Sequence, residues 1–388
     1  MKKTPDPKIQ EAEAAAAKLR GKGDKQDSKK GLFKKGGPVG NDGGLKSGGS
    51  VGGGGGLKSG GSVGGDGGLD RDSVSRFAAQ TKKMANYYGL GYLPDLPDHR
   101  DYVFEALTDL EDEAKTLKGK AKDRCVEVLA SLQAKYEPFV SLLDTGNLTP
   151  IENQGEIGAC TAHAVIGLAE YLIKSGTGAV TDLSRMFLYK ATRNLMGVQG
   201  DTGAFIRTTI KAMAAFGVPP EERWPYAGDL LDYEPMAFQY AYAANFKALK
   251  YARLDAYGLT TGEIVKRIKR ALQAKFPVAF GFPVYDSIGQ VTRNWPLIPL
   301  PGDKDDPQIG GHAVLAVGYD DTIKVPGQLD PEKPGEPLTG ALIIRNSWGE
   351  DWGLDGYGYL PYGYVHEGLA VDFWTVFSSQ WLIEGKFD

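Results

Sequence analysis

From Thr149 to about Leu249 apolar residues recur at helical spacing, and beyond that point they gather into short runs bounded by Gly, Pro and Asp. The first texture predicts helices over Cys160–Ser175, Ser184–Met196 and Ile206–Phe216. The second predicts strands over Pro277–Val284, Ala313–Tyr319, Leu342–Asn346, Gly356–Pro361 and Ala370–Phe377. Helices first and strands second, within about 240 residues, give an α+β class with segregated halves and a cleft between them.

Upstream the pattern thins. Val74, Phe77, Ala78 and Met84 form a short helical stripe ended by Gly89, followed by a Pro-rich turn. Apolar residues from Leu107 to Tyr136 predict a helix, or a helical hairpin broken near Gly119, with Cys125 on its buried stripe. Residues 36–68 contain 18 glycines in 33 positions, and GGLKSGGSVGG at Gly43–Gly53 returns unchanged at Gly55–Gly65. One Leu and one Val per copy cannot build a core, so residues 1–70 are expected to be a disordered Lys/Gly-rich arm.

Charge divides at the same place. Residues 1–85 hold 17 Lys+Arg against 9 Asp+Glu, which leaves 28 against 40 for residues 86–388. A body of net −12 excludes a broad nucleic-acid footprint, which needs clustered cations. No apolar run reaches 18 residues and no signal-peptide core follows Met1-Lys2-Lys3, so a soluble monomer is expected, without a membrane span and with its compartment left open. Cys125 and Cys160 are the only cysteines, too few for a disulfide framework. His99, His163 and His366 make no metal-spacing pattern, and Gly52–Lys58 lacks the strand and helix of a phosphate loop. No cofactor is expected.

Three segments carry residue types suited to nucleophilic catalysis. Asn153-Gln154-Gly155-Glu156-Ile157-Gly158-Ala159-Cys160 delivers a cysteine to the start of a predicted helix, where free backbone N–H groups and the helix dipole favour the thiolate. The Gln154 amide, reaching back across that turn, joins the Cys160 N–H as a candidate oxyanion donor. Gly310-Gly311-His312 places a histidine at the head of an apolar strand, and the two glycines permit close approach of another backbone or a substrate. Asn346-Ser347-Trp348-Gly349 supplies an amide to orient the imidazole and an indole to exclude water from it.

The order Gln, Cys, His, Asn in these contexts resembles the papain-like cysteine peptidases, over roughly Leu148 to the C-terminus. Thr149–Gly155, Gly217-Val218 with Trp224-Pro225-Tyr226, Pro277-Val278-Ala279 and the run from Asn346 to Tyr357 are similar to family segments. The resemblance implies a two-lobe fold, a helical lobe followed by an antiparallel β lobe, in a peptidase domain over 146–388. It also implies Cys160 as nucleophile, His312 as base and acid, Asn346 as orienter, Gln154 as oxyanion donor and Trp348 as shield. Gly203 would permit backbone pairing with a peptide or protein substrate. Ile157 stands where the family often has a disulfide cysteine, and Thr161 where a tryptophan usually follows the nucleophile. Asp320–Thr339 reads as a Pro-rich excursion whose ends stay adjacent as a hairpin.

The implied activity is endopeptidase hydrolysis. Acyl transfer on the same thioester and a catalytically silent binding module are the alternatives. Residues 71–145 are expected to be a helical prosegment-like or packing extension. Within it Tyr87, Tyr88, Leu90, Tyr92, Leu93 and Leu96 either occupy the cleft or pack permanently on the body.

Overall fold

A computed structural model describes residues 89–98, 101, 115, 118–244, 251–301, 306–330 and 335–376. The Gly-rich arm and the helix expected over residues 72–88 lie outside them. Helix α1 (Lys120–Gln133) starts after Gly119, the residue at which a break is expected, and Cys125 within it is buried.

The next helices follow the apolar pattern closely. Helix α2 (Cys160–Thr177) is buried continuously from Cys160 to Ile173 and ends on Gly178 at φ 74°. Helix α3 (Arg185–Met196) is capped by Ser184, whose hydroxyl accepts from the Phe187 N–H, and ends on Gly197. Helix α4 (Ile206–Phe216) and the short α5 (Ala237–Ala243) complete the helical half.

The second half is not strands alone. Helix α6 (Thr261–Gln273) opens with a capping box between Thr260 and Glu263 and buries Val265, Ile268, Ala271 and Leu272. Around it lies one antiparallel sheet of β1 (Phe139–Ser141), β2 (Tyr251–Arg253), β3 (Val278–Tyr285), β4 (Gln308–Leu329), β5 (Pro337–Arg345), β6 (Tyr357–Pro361) and β7 (Val371–Val376). The strand order is β2-β7-β3-β4-β5-β6, with β1 on β4. Strand β1 precedes residue 146, so the sheet recruits chain from the expected extension. The Pro-rich excursion is itself mostly paired strand, Lys324 opposite Thr339 and Leu329 opposite Pro337, and its ends stay adjacent. Among the described residues no helix is long and apolar enough to cross a membrane.

The two halves meet over a buried charge cluster. Glu170, on α2, accepts from the Thr149 hydroxyl at 2.7 Å, the Leu183 N–H at 2.9 Å and the Arg185 guanidinium at 3.0 Å. Arg185 also bonds Asp182 and pairs with Glu152 at 3.2 Å. From β5, Arg345 donates to the carbonyls of Thr149, at 2.9 Å, and Pro150. Helix α2 lies against Leu315 and Arg345 at Gly167. Removing one partner of such a buried pair strands the other charge, at a cost of about 3–5 kcal/mol. Glu170→Ala is therefore expected to lower the unfolding free energy by that amount in denaturant titration. A loss below about 1 kcal/mol would show that the seam does not depend on this carboxylate.

Candidate active site

The turn that delivers Cys160 is fixed by backbone geometry and by one carboxylate. Gly155 sits at φ 59°, a left-handed conformation that favours glycine. Both oxygens of Asp201 accept from the Gly158 N–H at 3.0 Å, and the Tyr189 hydroxyl donates to Asp201 at 2.7 Å. Cys160 then opens α2 and is fully buried. The backbone N–H groups of Ala313, Gly91 and Thr161 face its sulfur, yet burial dominates and pushes the thiol up to about 11.

His312 lies on β4, opposite Phe282 of β3, and the N–H of its neighbour Ala313 faces the sulfur. Its Nε2 is 2.7 Å from Asn346 Oδ1. The Ser347 N–H donates to the same Oδ1 at 2.8 Å, which identifies that atom as the amide oxygen. Nε2 therefore carries the proton and Nδ1 the lone pair. Nδ1 is buried without a hydrogen-bond partner among the described residues. Burial lowers the imidazole to about 4, opposed by the Asn346 bond. The Trp348 ring stacks on the imidazole at 4.4 Å, as the sequence suggests for a shield.

Gln154 arrives through pairing of its own strand with the Asn346 turn. Its N–H donates to Ser347 O at 2.8 Å, Gly349 N donates to Glu152 O at 3.0 Å, and Asn153 bridges Trp348. Its Oε1 accepts from the Ser347 hydroxyl at 2.5 Å, which turns Nε2 toward the cysteine turn. Nε2 donates to Ile157 O at 2.9 Å and to Gly89 O at 2.6 Å. Ser347 thus touches both amides, a link that nothing in the sequence signals. His163 is buried with Nδ1 3.0 Å from Ala159 O and its ring edge-on to Tyr226, a packed residue of α2.

Gly89 belongs to a stretch that crosses the cleft. Tyr92 N donates to Gly311 O at 3.1 Å, Ala204 N to Gly91 O at 2.7 Å and Leu93 N to Ala204 O at 3.0 Å, so the stretch runs parallel to the chain at Ala204. Backbone pairing falls on Ala204, and a Cβ at the preceding Gly203 would overlap the Gly91 carbonyl. Gly310 and Gly311 serve the close approach their sequence suggests, to Leu90 and Tyr92 respectively. Leu90, Tyr92 and Leu93 are buried, worth roughly 2 kcal/mol each, while Leu96 is 77% exposed. Asp95 and Asp101 pair with Arg207 at 3.0 and 2.8 Å, so the stretch is fastened electrostatically as well. Tyr87 and Tyr88 lie outside the described residues. Among the described residues no group of three or more His, Cys, Asp or Glu side chains is placed to hold a metal ion.

Comparison with known proteins places this arrangement. A profile described as papain family cysteine protease matches residues 141–372. An uncharacterised peptidase C1-like protein of Acanthamoeba polyphaga mimivirus is 34% identical over 293 residues, 74% of this chain and 86% of the relative. Pro-cathepsin H of Bos taurus is 27% identical over 241 residues, 61% of this chain and 63% of that one. Among solved structures, xylellain, a cysteine protease from Xylella fastidiosa, is 32% identical with a TM-score of 0.56, covering 75% of this chain and 96% of xylellain. The digestive procathepsin L2 proteinase of Tenebrio molitor, 21% identical with a TM-score of 0.53, shares the fold over 76% of this chain and 80% of its own. With the profile spanning more than half of its residues, the chain belongs to the papain family of cysteine proteases and is a cysteine peptidase, a hydrolase.

Proposed function

We propose that Cys160, His312, Asn346 and Gln154 hydrolyse peptide bonds together, and that residues 89–93 cover the site in the intact chain. The observation that carries the reading is the 2.7 Å bond from His312 Nε2 to Asn346 Oδ1, which leaves the buried Nδ1 lone pair without a partner among the described residues, next along the chain to Ala313, whose N–H faces the sulfur. Nδ1 takes the thiol proton and the thiolate attacks the peptide carbonyl carbon. The developing oxyanion rests on Gln154 Nε2 and the Cys160 N–H. The imidazolium returns its proton to the leaving amine. Water, deprotonated by the same nitrogen, then attacks the thioester, releasing the acid and restoring the thiol.

The covered site is a resting one. Gly89 O occupies the Gln154 amide, but the sulfur meets the Gly91 N–H, where attack requires a carbonyl carbon. With the thiol near 11 and the imidazole near 4, both groups are neutral at pH 7 and the proton stays on sulfur. Opening the cleft admits water, which lowers the thiol and raises the imidazole until proton transfer between them is favourable.

Three outcomes are expected. Cys160→Ala abolishes hydrolysis and labelling by a thiol-directed electrophile, whereas Cys125→Ala preserves both; labelling that follows Cys125 would end the assignment. Gln154→Ala lowers kcat on the order of a hundredfold to a thousandfold, about 3–4 kcal/mol, with a smaller change in KM. An unchanged kcat would place the oxyanion donors elsewhere. Finally, Tyr92→Ala unseats the covering stretch. It raises the initial rate on a small peptide at least about tenfold and moves the alkylation midpoint of Cys160 from about 11 toward neutral pH. The direction follows because only the thiolate alkylates and burial is what holds the proton. Equal rates and equal midpoints in the two chains would make the stretch permanent packing.

A further inference from the structure

Helix α2 carries the nucleophile on its first residue, and Ala159, at the cap position before it, supplies no side-chain bond. The Ala159 carbonyl instead accepts twice, from the His163 backbone N–H at 3.1 Å in the ordinary helical manner and from His163 Nδ1 at 3.0 Å. A carbonyl oxygen can only accept, so Nδ1 carries the proton. Burial lowers this imidazole to about 3, against the pull of the Ala159 bond and with Arg185, His312 and Arg345 resisting a further positive charge, so the ring is neutral at pH 7. The ring stands edge-on to Tyr226 at 5.0 Å, and the Tyr226 hydroxyl donates to the Gln154 backbone carbonyl at 2.9 Å. An apolar ring would fill the same space without desolvating an imidazole, so packing alone does not account for a donor here.

The Ala159 carbonyl and the Cys160 N–H belong to one peptide group. That group is planar and trans, so a bond that fixes the oxygen on one side fixes the direction of the N–H on the other. We propose that His163 is a positioning residue for oxyanion stabilisation: its Nδ1–H holds the Ala159–Cys160 peptide plane so that the Cys160 N–H is aimed at the oxyanion, and it strengthens that N–H as a donor. The proposal rests on the peptidase reading. When the thiolate adds to the substrate carbonyl carbon, the C–S bond forms and the π pair moves onto oxygen, whose charge then draws on the Cys160 N–H. A bond received at Ala159 O pulls electron density across the amide from the nitrogen, which leaves the N–H more polar, as in any chain of linked hydrogen bonds. His163 itself takes no proton in this step. Through Tyr226 the same ring also backs the main chain of Gln154, so the residues that carry both oxyanion donors lean on one buried aromatic pair.

The test places three substitutions in the full chain carrying Tyr92→Ala. His163→Phe keeps a ring against Tyr226 and loses the donor, while His163→Asn and His163→Leu match each other in size and differ in having a side-chain N–H where Nδ1 stood. His163→Phe is expected to lower kcat about tenfold, less than the loss of a whole oxyanion donor, with KM changed less than about twofold. A peptide aldehyde, whose hemithioacetal oxygen uses the same donors, should weaken in proportion. Alkylation of Cys160 by iodoacetamide builds no oxyanion and should keep its rate. His163→Leu should repeat the loss, and carries the comparison if the Phe variant does not fold; His163→Asn should recover most of kcat. An unchanged kcat, an alkylation rate that falls with kcat, or an Asn variant no faster than the Leu variant overturns the proposal. The peptide group is also read directly by nuclear magnetic resonance in the chain with its natural Tyr92, isotope-labelled at alanine carbonyls and cysteine nitrogens. Ala159-Cys160 is the only Ala-Cys pair, since Cys125 follows Arg124, so a single carbonyl–nitrogen correlation reports it. Its carbonyl signal should move upfield in His163→Leu and return in His163→Asn. If no peptide is cleaved, the peptidase reading fails and this signal decides: that shift sustains the hold on the peptide plane, and an unmoved signal overturns it.

Discussion

Everything at the site depends on holding two separately built halves in register, and the buried cluster of Glu170, Arg185 and Arg345 is what does so. The chain at Thr149 and Pro150 passes between them, donating to Glu170 of α2 and accepting from Arg345 of β5. From there it runs directly into Asn153 and Gln154, which pair with the Asn346 turn. The helix that carries the cysteine and the strand that carries the histidine are thus held side by side because a third segment is fastened to both. Ions buried so deeply gain little net stability over apolar packing, but they tolerate few alternative arrangements.

Much of this was legible in the chain because it is local. The helices over 160–177, 185–196 and 206–216 and strands β3 to β7 follow from periodicity and from Gly and Pro punctuation, whereas the three-residue β1 and β2 are too short to show a period. The cysteine, histidine, asparagine and glutamine each stand inside a contiguous motif with its own turn chemistry. Helix α6 escaped because its neighbours read as strand, although Thr260 and Glu263 carry a capping signal. The roles of Ser347 and Asp201 escaped for another reason. Their partners lie 193 and 43 residues away, so their contribution exists only once the chain has folded.

Asp201 also answers a question raised by the cysteine count. The turn before the nucleophile has Ile157 where the family often has a disulfide cysteine, and only two cysteines exist in the chain. Here the adjacent Gly158 N–H is gripped by both carboxylate oxygens, and the Tyr189 hydroxyl that donates to Asp201 also accepts from Gly203 N. A charge-assisted bond ties the same turn to the neighbouring loop without a covalent link, in a form indifferent to redox conditions.

The glycines beneath the covering stretch tie two parts of the sequence into one lineage. Gly203, Gly281, Gly310 and Gly311 are small because Leu90, Gly91 and Tyr92 lie on them. A side chain gained at any of these positions collides with the stretch that lies on it. Change there therefore has to proceed by paired substitutions, one at the glycine and one some hundred residues or more upstream, so that the two distant segments are bound to vary together.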